Sequence, residues 1–456
     1  MAIGAAAEEE RSALTSEWRA LLSIALPVVV VQVGLMLMGV VDALIIGHLS
    51  AQALAAVALG VLYTYNAIVV AMGTLMALDP LVAQAVGARD ELAVTRAIQR
   101  GLVLSVVLGA LTMLLTIPAA SVLGAFHQPA EVIPPAAEYI QISAAGLIPF
   151  LVFIVLRQSL QAIGRLTPIV VTIVLANVLN ALLNWVLIFG HLGAPRMGVA
   201  GSAIATVVSR WAMCVMLLWL AWKELRPHVH AIDRESFAPR PLWGMLWLGL
   251  PIGFQQALEF SAFGAVGLLM GTFGALQVAG HQIALNLAAL TFMVPVGVGA
   301  AAAVRVGHAV GAGDAGRSRR AARIAYGLGA GFMSLTAVLF LVLPRALSAV
   351  YTTDLALIAV ASSLIPIAGV FQIFDGLQAV GAGVLRGFGD TRIPVIAMVC
   401  GYWLIGVPVS VVLGFKTSMG PQGLWWGFVA GLASVALFLL WRVRVLLRRD
   451  IGRVQI

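Results

Sequence analysis

From Ala20 to Gly47 the chain carries one ionisable side chain, Asp42, in a run otherwise made of apolar, small or uncharged residues. Crossing about 30 Å of hydrocarbon takes roughly 20 helical residues, and runs of that length recur to the end of the chain. In lipid, backbone N–H and C=O groups find no water, so only helices and closed barrels span it. The alternating pattern of a membrane barrel is absent, which leaves helices. Composition agrees: 61% of the 456 residues are hydrophobic and 10% charged, against about a quarter charged in soluble domains. The mean hydropathy is +1.03. Twelve spans are expected, near 18–45, 53–80, 97–118, 135–156, 168–190, 198–222, 242–270, 277–304, 322–343, 355–384, 393–415 and 422–446. The expected fold is an all-α polytopic membrane protein.

The basic residues orient it. With the N-terminus inside, the outer loops hold only Arg196, Arg345 and Lys416 of the 27 lysines and arginines. Arg210 lies within a span, and the rest fall at inner ends, inner loops or tails. Lysine and arginine concentrate on the cytoplasmic side, so both termini are expected there; with the resemblance given below, the expected location is a bacterial inner membrane. The net charge of +8 is then a loop property and not a sign of nucleic-acid binding. The opening stretch MAIGAAAEEERSALTSEW lacks the pattern of a signal peptide and reads as a cytoplasmic tail. Cys214 and Cys400 lie inside apolar segments and read as small buried residues, with no disulfide or metal framework.

The chain repeats itself. LGLP at 248–251 echoes IALP at 24–27, and VGHAVGAGD at 306–314 echoes VAQAVGARD at 82–90; Pro27 and Pro251, like Asp90 and Asp314, lie 224 residues apart. Farther on, LQAIGRLTP (160–168) resembles LRGFGDTRIP (385–394), and MGVAGSAIATVVS (197–209) resembles QGLWWGFVAGLAS (422–434). This register predicts two like-oriented halves of six spans each, with a binding site between them. The expected organisation is a tail (1–17), an N-lobe (18–222), a charged cytoplasmic linker (223–241), a C-lobe (242–446) and a second tail (447–456).

Four acids fall within spans: Asp42, Asp79, Glu259 and Asp375. An ionised side chain at mid-membrane costs about 2.5–3.5 kcal/mol on insertion scales, and such residues usually carry protons, ions or charged substrate. Asp79 lies near an inner end and is expected to reach interfacial water. The other three lie deeper. The repeat does not duplicate them, because Asp42 aligns with Val266 and Glu259 with Leu35, so each half has its own acid chemistry. Asn180 and Asn184 are one turn apart on span 5 and share a face; Thr206 lies on span 6. Amide and hydroxyl oxygens beside a carboxylate suit a hard cation such as Na⁺, or can hydrogen-bond a protonated acid. Span 8 carries His281, Gln282 and Asn286, with Pro295 among glycines, where the helix can bend.

Other motifs carry no chemistry. GAGDAG (311–316) matches the dinucleotide-binding pattern but follows a membrane helix, where no strand leads into it. No Walker A, HExxH or GxSxG sequence occurs, so neither an ATP-driven pump nor an enzyme is expected, and no cofactor. Gly267–Gly271 and Gly427–Gly431 read as close helix packing.

The segments VDALIIGHLSAQALAAVALG, LGLPIGFQQALEF, GHQIALNLAALTFMVPVGVGAAAAVRVGHAVGAGD and LRGFGDTRIP resemble the multidrug and toxic compound extrusion (MATE) transporters, NorM-like branch. The resemblance covers essentially the whole chain. It implies a secondary exporter with two six-helix lobes around a central cavity, moving lipophilic, often cationic drugs and dyes outward as H⁺ and/or Na⁺ enters. It further implies an N-lobe cation site at Asp42, Asn180, Asn184 and Thr206, with Na⁺ at the first three an option. Glu259 and Asp375 become the C-lobe proton or cation and substrate site. Gln256, Gln282, Asn286 and Phe371 are possible cavity residues. Some Na⁺-binding relatives carry tyrosine at the place of Phe371, which offers no oxygen; this tilts the expectation toward protons. A monomer whose partners are small-molecule cations and the bilayer is expected. The alternative is a flippase of lipid-linked sugars, which would require a basic cavity.

Overall fold

The computed structural model describes residues 2–230, 233–449 and 452–454, with side chains from Leu14 onward. Met1, part of the linker at Ala231 and Ile232, and Asp450, Ile451, Gln455 and Ile456 of the predicted C-terminal tail lie outside the described residues. The first half contains α1 (Ala2–Gly47), α2 (Ala51–Leu75), α3 (Leu78–Gly87), α4 (Glu91–Thr116), α5 (Ala119–Ala125), α6 (Ile133–Ala144), α7 (Leu147–Ile163), α8 (Thr167–Phe189) and α9 (Gly198–Leu220). The link holds α10 (Trp222–Val229) and a 3₁₀ turn, Arg234–Phe237. The second half contains α11 (Pro239–Gly271), α12 (Ala275–Gly311), α13 (Ala315–Val342), α14 (Pro344–Ala349), α15 (Leu355–Phe388), α16 (Arg392–Met398), α17 (Val407–Phe415) and α18 (Pro421–Leu446). A π-helical stretch, Val399–Gly406, joins α16 to α17.

Among the described residues ten helical stretches are long and apolar enough to cross a membrane, eleven if α6 and α7, bent by 50° at their junction, form one span. The remaining expected span, near 242–270, is α11. It has 33 residues but falls outside that apolar set, because Gln255, Gln256 and Glu259 interrupt it. Length and apolar composition thus mark ten or eleven of the twelve expected spans among the described residues, and α11 stands at the place of the other.

The repeat has a physical basis in how helices begin and end. Asp90 accepts from the Ala93 N–H at 3.0 Å and Asp314 from the Arg317 N–H at 2.8 Å. Both cap helices whose first N–H groups lack partners. The residue before each cap takes a left-handed turn, Arg89 at φ 57° and Gly313 at φ 70°. GAGDAG is thus a turn and a helix cap. Gly164 and Gly389, 225 residues apart, close α7 and α15 at φ 85° and 81°, the conformation that suits glycine at helix ends.

The chain forms two compact units, one of residues 30–82 and 90–253, the other of residues 1–29, 83–89 and 254–455. The first is called the N-unit, the second the C-unit. The boundaries within α1 and α11 fall after Val29 and Gly253, again 224 residues apart.

In the N-unit, Gly34 lets α1 cross α8 closely; a Cβ there would stand 2.3 Å from Ile173 Cγ2. Asn177 seals the crossing by donating to the Gly34 carbonyl at 3.0 Å. Val174, Val178 and Leu182 of α8 are exposed, whereas Ile173, Ala176, Asn180 and Asn184 are buried. An exposed apolar stripe opposite a polar buried face is the pattern of a helix with lipid on one side and protein on the other. In the C-unit, Gly299 and Gly383 bring α12 and α15 into backbone contact.

Three expectations change. Asp79 does not reach interfacial water: it is fully buried and faces the charge of Arg157 on α7, which compensates it. The Gly267–Gly271 pair is not a packing seam; nothing lies within 4 Å of a Cβ built at Gly271. Gly427 and Gly431 do pack tightly, against Ser410 and against the Gly401 carbonyl. Finally, Cys400 is exposed, not buried, and Cys214 partly buried; both are free thiols.

Candidate functional site

The N-unit acid cluster grows from the α1–α8 crossing. Two turns past Gly34 and Asn177, the same helices bring Asp42 to Asn184. The Asn184 Nδ2 donates to Asp42 Oδ1 at 2.6 Å and to the Asn180 carbonyl at 3.0 Å. The Thr206 hydroxyl donates to the Ser202 carbonyl at 3.0 Å and reaches Asp42 Oδ2 at 3.5 Å. Asn180 lies beside Asp42, but neither of its amide atoms makes a hydrogen bond among the described residues. Asp42 is 6% exposed, and both asparagines are fully buried. Buried polar atoms ordinarily find partners. Here Asn180 Oδ1, Asn184 Oδ1 and Ser202 Oγ lack one among the described residues. Oxygen donors around a carboxylate fit a hard cation by type.

Two residues absent from the predicted set join this cluster. Tyr139 on α6 is 3% exposed and lies beside Thr206 and Ser143. Arg210 follows Thr206 by one turn of α9, so it shares its face. Its guanidinium stands 5.0 Å over the Phe150 ring, a cation–π contact, and close enough to Asp42 and Tyr139 for their charges to interact. Its stem passes Gly146, where a Cβ would be 3.0 Å from Arg210 Cδ, and its Nη1 has no partner among the described residues. Arg210 was visible in the sequence as a cation within a span; its nearness to Asp42 was not, because 168 residues separate them.

The C-unit cluster is built differently. Gln378 Nε2 donates to Glu259 Oε1 at 3.0 Å, and Tyr402 donates its hydroxyl to Gln378 Oε1 at 3.0 Å. Asp375, 4% exposed, lies close enough to Glu259 for the two acids to repel. Its Oδ1 has no partner among the described residues. Tyr402 sits in the π-helical stretch, a feature frequent at functional sites. Phe371 is fully buried among aromatic rings, 5.9 Å from Phe263 and 5.7 Å from Trp425. It lies in the core of the unit. Tyr402 supplies a phenolic oxygen two hydrogen bonds from Glu259, through Gln378. Gln282 Nε2 donates to Asn286 Oδ1 at 3.2 Å on an exposed face of α12, and Gln256 is partly buried on α11.

Among the described residues no three His, Cys, Asp or Glu side chains converge on a metal site. What the geometry offers is two unlike carboxylate centres: one acid with amides and a guanidinium in the N-unit, two coupled acids with a Gln–Tyr relay in the C-unit.

Comparison with known proteins sets this geometry in context. The family described as MatE matches residues 27–186 and 251–412, two stretches that mirror the internal repeat. The chain is 38% identical over 427 residues to "Multidrug resistance protein NorM" of Burkholderia vietnamiensis, covering 92% of each. It is 37% identical over 445 residues to "Multidrug resistance protein PmpM" of Pseudomonas aeruginosa, covering 96% of this chain and 93% of that one. In fold it resembles the eukaryotic MATE transporter AtDTX14, with a TM-score of 0.86 at 24% identity over 95% of this chain and 96% of that one. It likewise resembles a mutant form of the Vibrio cholerae MATE transporter VcmN, with a TM-score of 0.87 at 20% identity over 96% of this chain and 98% of that one.

Proposed function

Because this chain belongs to the MatE family, we propose that it is a secondary active exporter, moving lipophilic and often cationic drugs and dyes outward while H⁺ or Na⁺ enters. It works as a monomer in a bacterial inner membrane, with twelve spans, both termini cytoplasmic and the two lobes joined by the 223–241 linker. The observation that carries this reading is the pair of unlike buried carboxylate centres, each built within its own unit and each with polar atoms left over.

Glu259 and Asp375 share charge. Two close carboxylates hold a proton or a cation far better than one, so the ionised pair attracts a lipophilic cation. Protonation, or entry of Na⁺, removes that attraction, and the drug leaves. Gln378, held by Tyr402, keeps the Glu259 carboxylate in place through each exchange. Asp42, with Asn180, Asn184 and Thr206, is the second ion centre and couples ion entry to alternating access. The inside-negative potential adds about 2.3 kcal/mol per charge per 100 mV. Gln256, Gln282 and Asn286 serve the substrate path.

The test uses purified protein in liposomes loaded with a fluorescent cation, with pH and Na⁺ gradients imposed independently. The expected outcome is efflux driven by at least one gradient and abolished by Asp42→Asn, Glu259→Gln or Asp375→Asn. Coupled efflux surviving in all three variants would sink the mechanism.

A further inference from the structure

Most arginines whose partners are visible at the cytoplasmic ends of the helices are matched by acids. Arg305 holds Glu17 through two bonds of 2.7 and 2.6 Å, Arg442 holds Asp390 at 2.7 Å, and Arg96 holds Asp233 and Glu235 at 2.6 Å each. One group differs. Arg319 and Arg323 at the start of α13, and Arg444 and Arg448 at the end of α18, converge on a single groove of about 840 Å³ whose lining holds no acid. The helices run antiparallel here, so both pairs stand at the same membrane face. Arg319 donates to the Leu447 carbonyl at 2.8 Å, which fixes the rim. Deeper in, the groove becomes apolar, floored by Leu377 of α15 and walled by Leu440. Gly327 borders it with nothing within 4 Å of where a Cβ would stand.

We propose that this groove binds an anionic phospholipid, its phosphodiester headgroup held by the four arginines and an acyl chain laid along the apolar floor. Topology alone does not call for the arrangement: arginines placed only to orient a helix need not converge from segments at least 121 residues apart around a cleft without acids. Basic pockets between spans on the cytoplasmic side are the pattern expected for lipid phosphates. The continuous apolar floor distinguishes a lipid from a free anion, which would gain nothing from it.

The experiment uses the full chain purified in detergent and follows its melting temperature during titration with dioleoylphosphatidylglycerol, cardiolipin, dioleoylphosphatidylcholine and inorganic phosphate. The two anionic lipids are expected to stabilise it at concentrations at least tenfold below those at which phosphatidylcholine acts, with inorganic phosphate inert. Each arginine near a lipid phosphate is worth about a fivefold change in affinity, so the double variant R323Q/R444Q is expected to lose roughly thirtyfold. Gly327→Leu keeps every charge but fills the groove, and is expected to lose the same preference. Equal stabilisation by phosphatidylcholine, an equal effect of inorganic phosphate, or unchanged lipid preference in Gly327→Leu would each overturn the assignment. The readout is lipid binding, so it stands or falls apart from the transport activity.

Discussion

At the scale of single residues, the N-unit cluster turns on two side chains that both favour the ionised Asp42 carboxylate, one by a hydrogen bond and one by charge. Asn184 donates to it at 2.6 Å, and a hydrogen bond to a charged group is worth about 1.5–3 kcal/mol. Asn184→Ala removes a donor that competes with an entering proton, so the H⁺ concentration at half-maximal efflux should fall by about tenfold or more. Arg210 competes with any entering cation. Charges a few ångströms apart at an effective dielectric near 20 interact by a few kcal/mol, about 4 at 4 Å, and 1.36 kcal/mol is one pH unit. Arg210→Gln removes that competition, so the pH profile of efflux should move to higher pH by about one unit or more. Arg210→Lys should leave it near its wild-type position; a profile unmoved by both changes would mean the guanidinium serves packing alone.

At the scale of elements, the linker is a docked piece and not a free tether. His228 at the end of α10 hydrogen-bonds Thr95 at 2.8 Å, and Gln99 donates to the His228 carbonyl at 2.9 Å. Asp233 meets Arg96, whose hydrogen-bonded guanidinium holds the Asp233 carboxyl below its usual range. A depressed carboxylate adds stability above its ordinary titration range and loses it as pH falls through the lowered value. Burial lowers His228 from its ordinary 6.5, so docking starts to weaken as pH falls below 6.5 and weakens fully once the docked imidazole protonates. Limited proteolysis near Arg234 should accelerate first as His228 protonates and again at lower pH as Asp233 does, and Asp233→Asn should raise cleavage already at neutral pH. Helix packing is equally specific. A Cβ on Gly249 of α11 would lie 1.9 Å from the Thr74 carbonyl of α2. Gly249→Ala should thus cost about 1–3 kcal/mol, the usual range for overpacking, seen as a lower melting temperature in detergent.

At the scale of the whole molecule, the two acid centres belong to separate compact units and share no hydrogen-bond partner among the described residues. Substitutions without shared partners tend to add, and those in one network do not. The stability changes of Asp42→Asn and Glu259→Gln should sum in the double variant. Those of Glu259→Gln and Asp375→Asn should not, because the second removes a repulsion that the first already relieved. Chemical denaturation of the single and double variants checks this.

Much of this was legible in the sequence, because the bilayer imposes one rule on every residue. Apolar runs set the helices, and the 224-residue register exposed the repeat, whose glycines and aspartates are turns and caps with local causes. Local chemistry also picked out Asp42, Glu259 and Asp375, since a carboxylate amid hydrocarbon is costly wherever it lies. The surroundings of those acids needed the tertiary structure. Arg210 beside Asp42, Arg157 facing Asp79, Tyr402 reaching Glu259 through Gln378, and Phe371 buried in an aromatic core all depend on which faces of distant helices meet. That choice is made by close crossings such as Gly34 on Ile173, and spacing along the chain does not encode it.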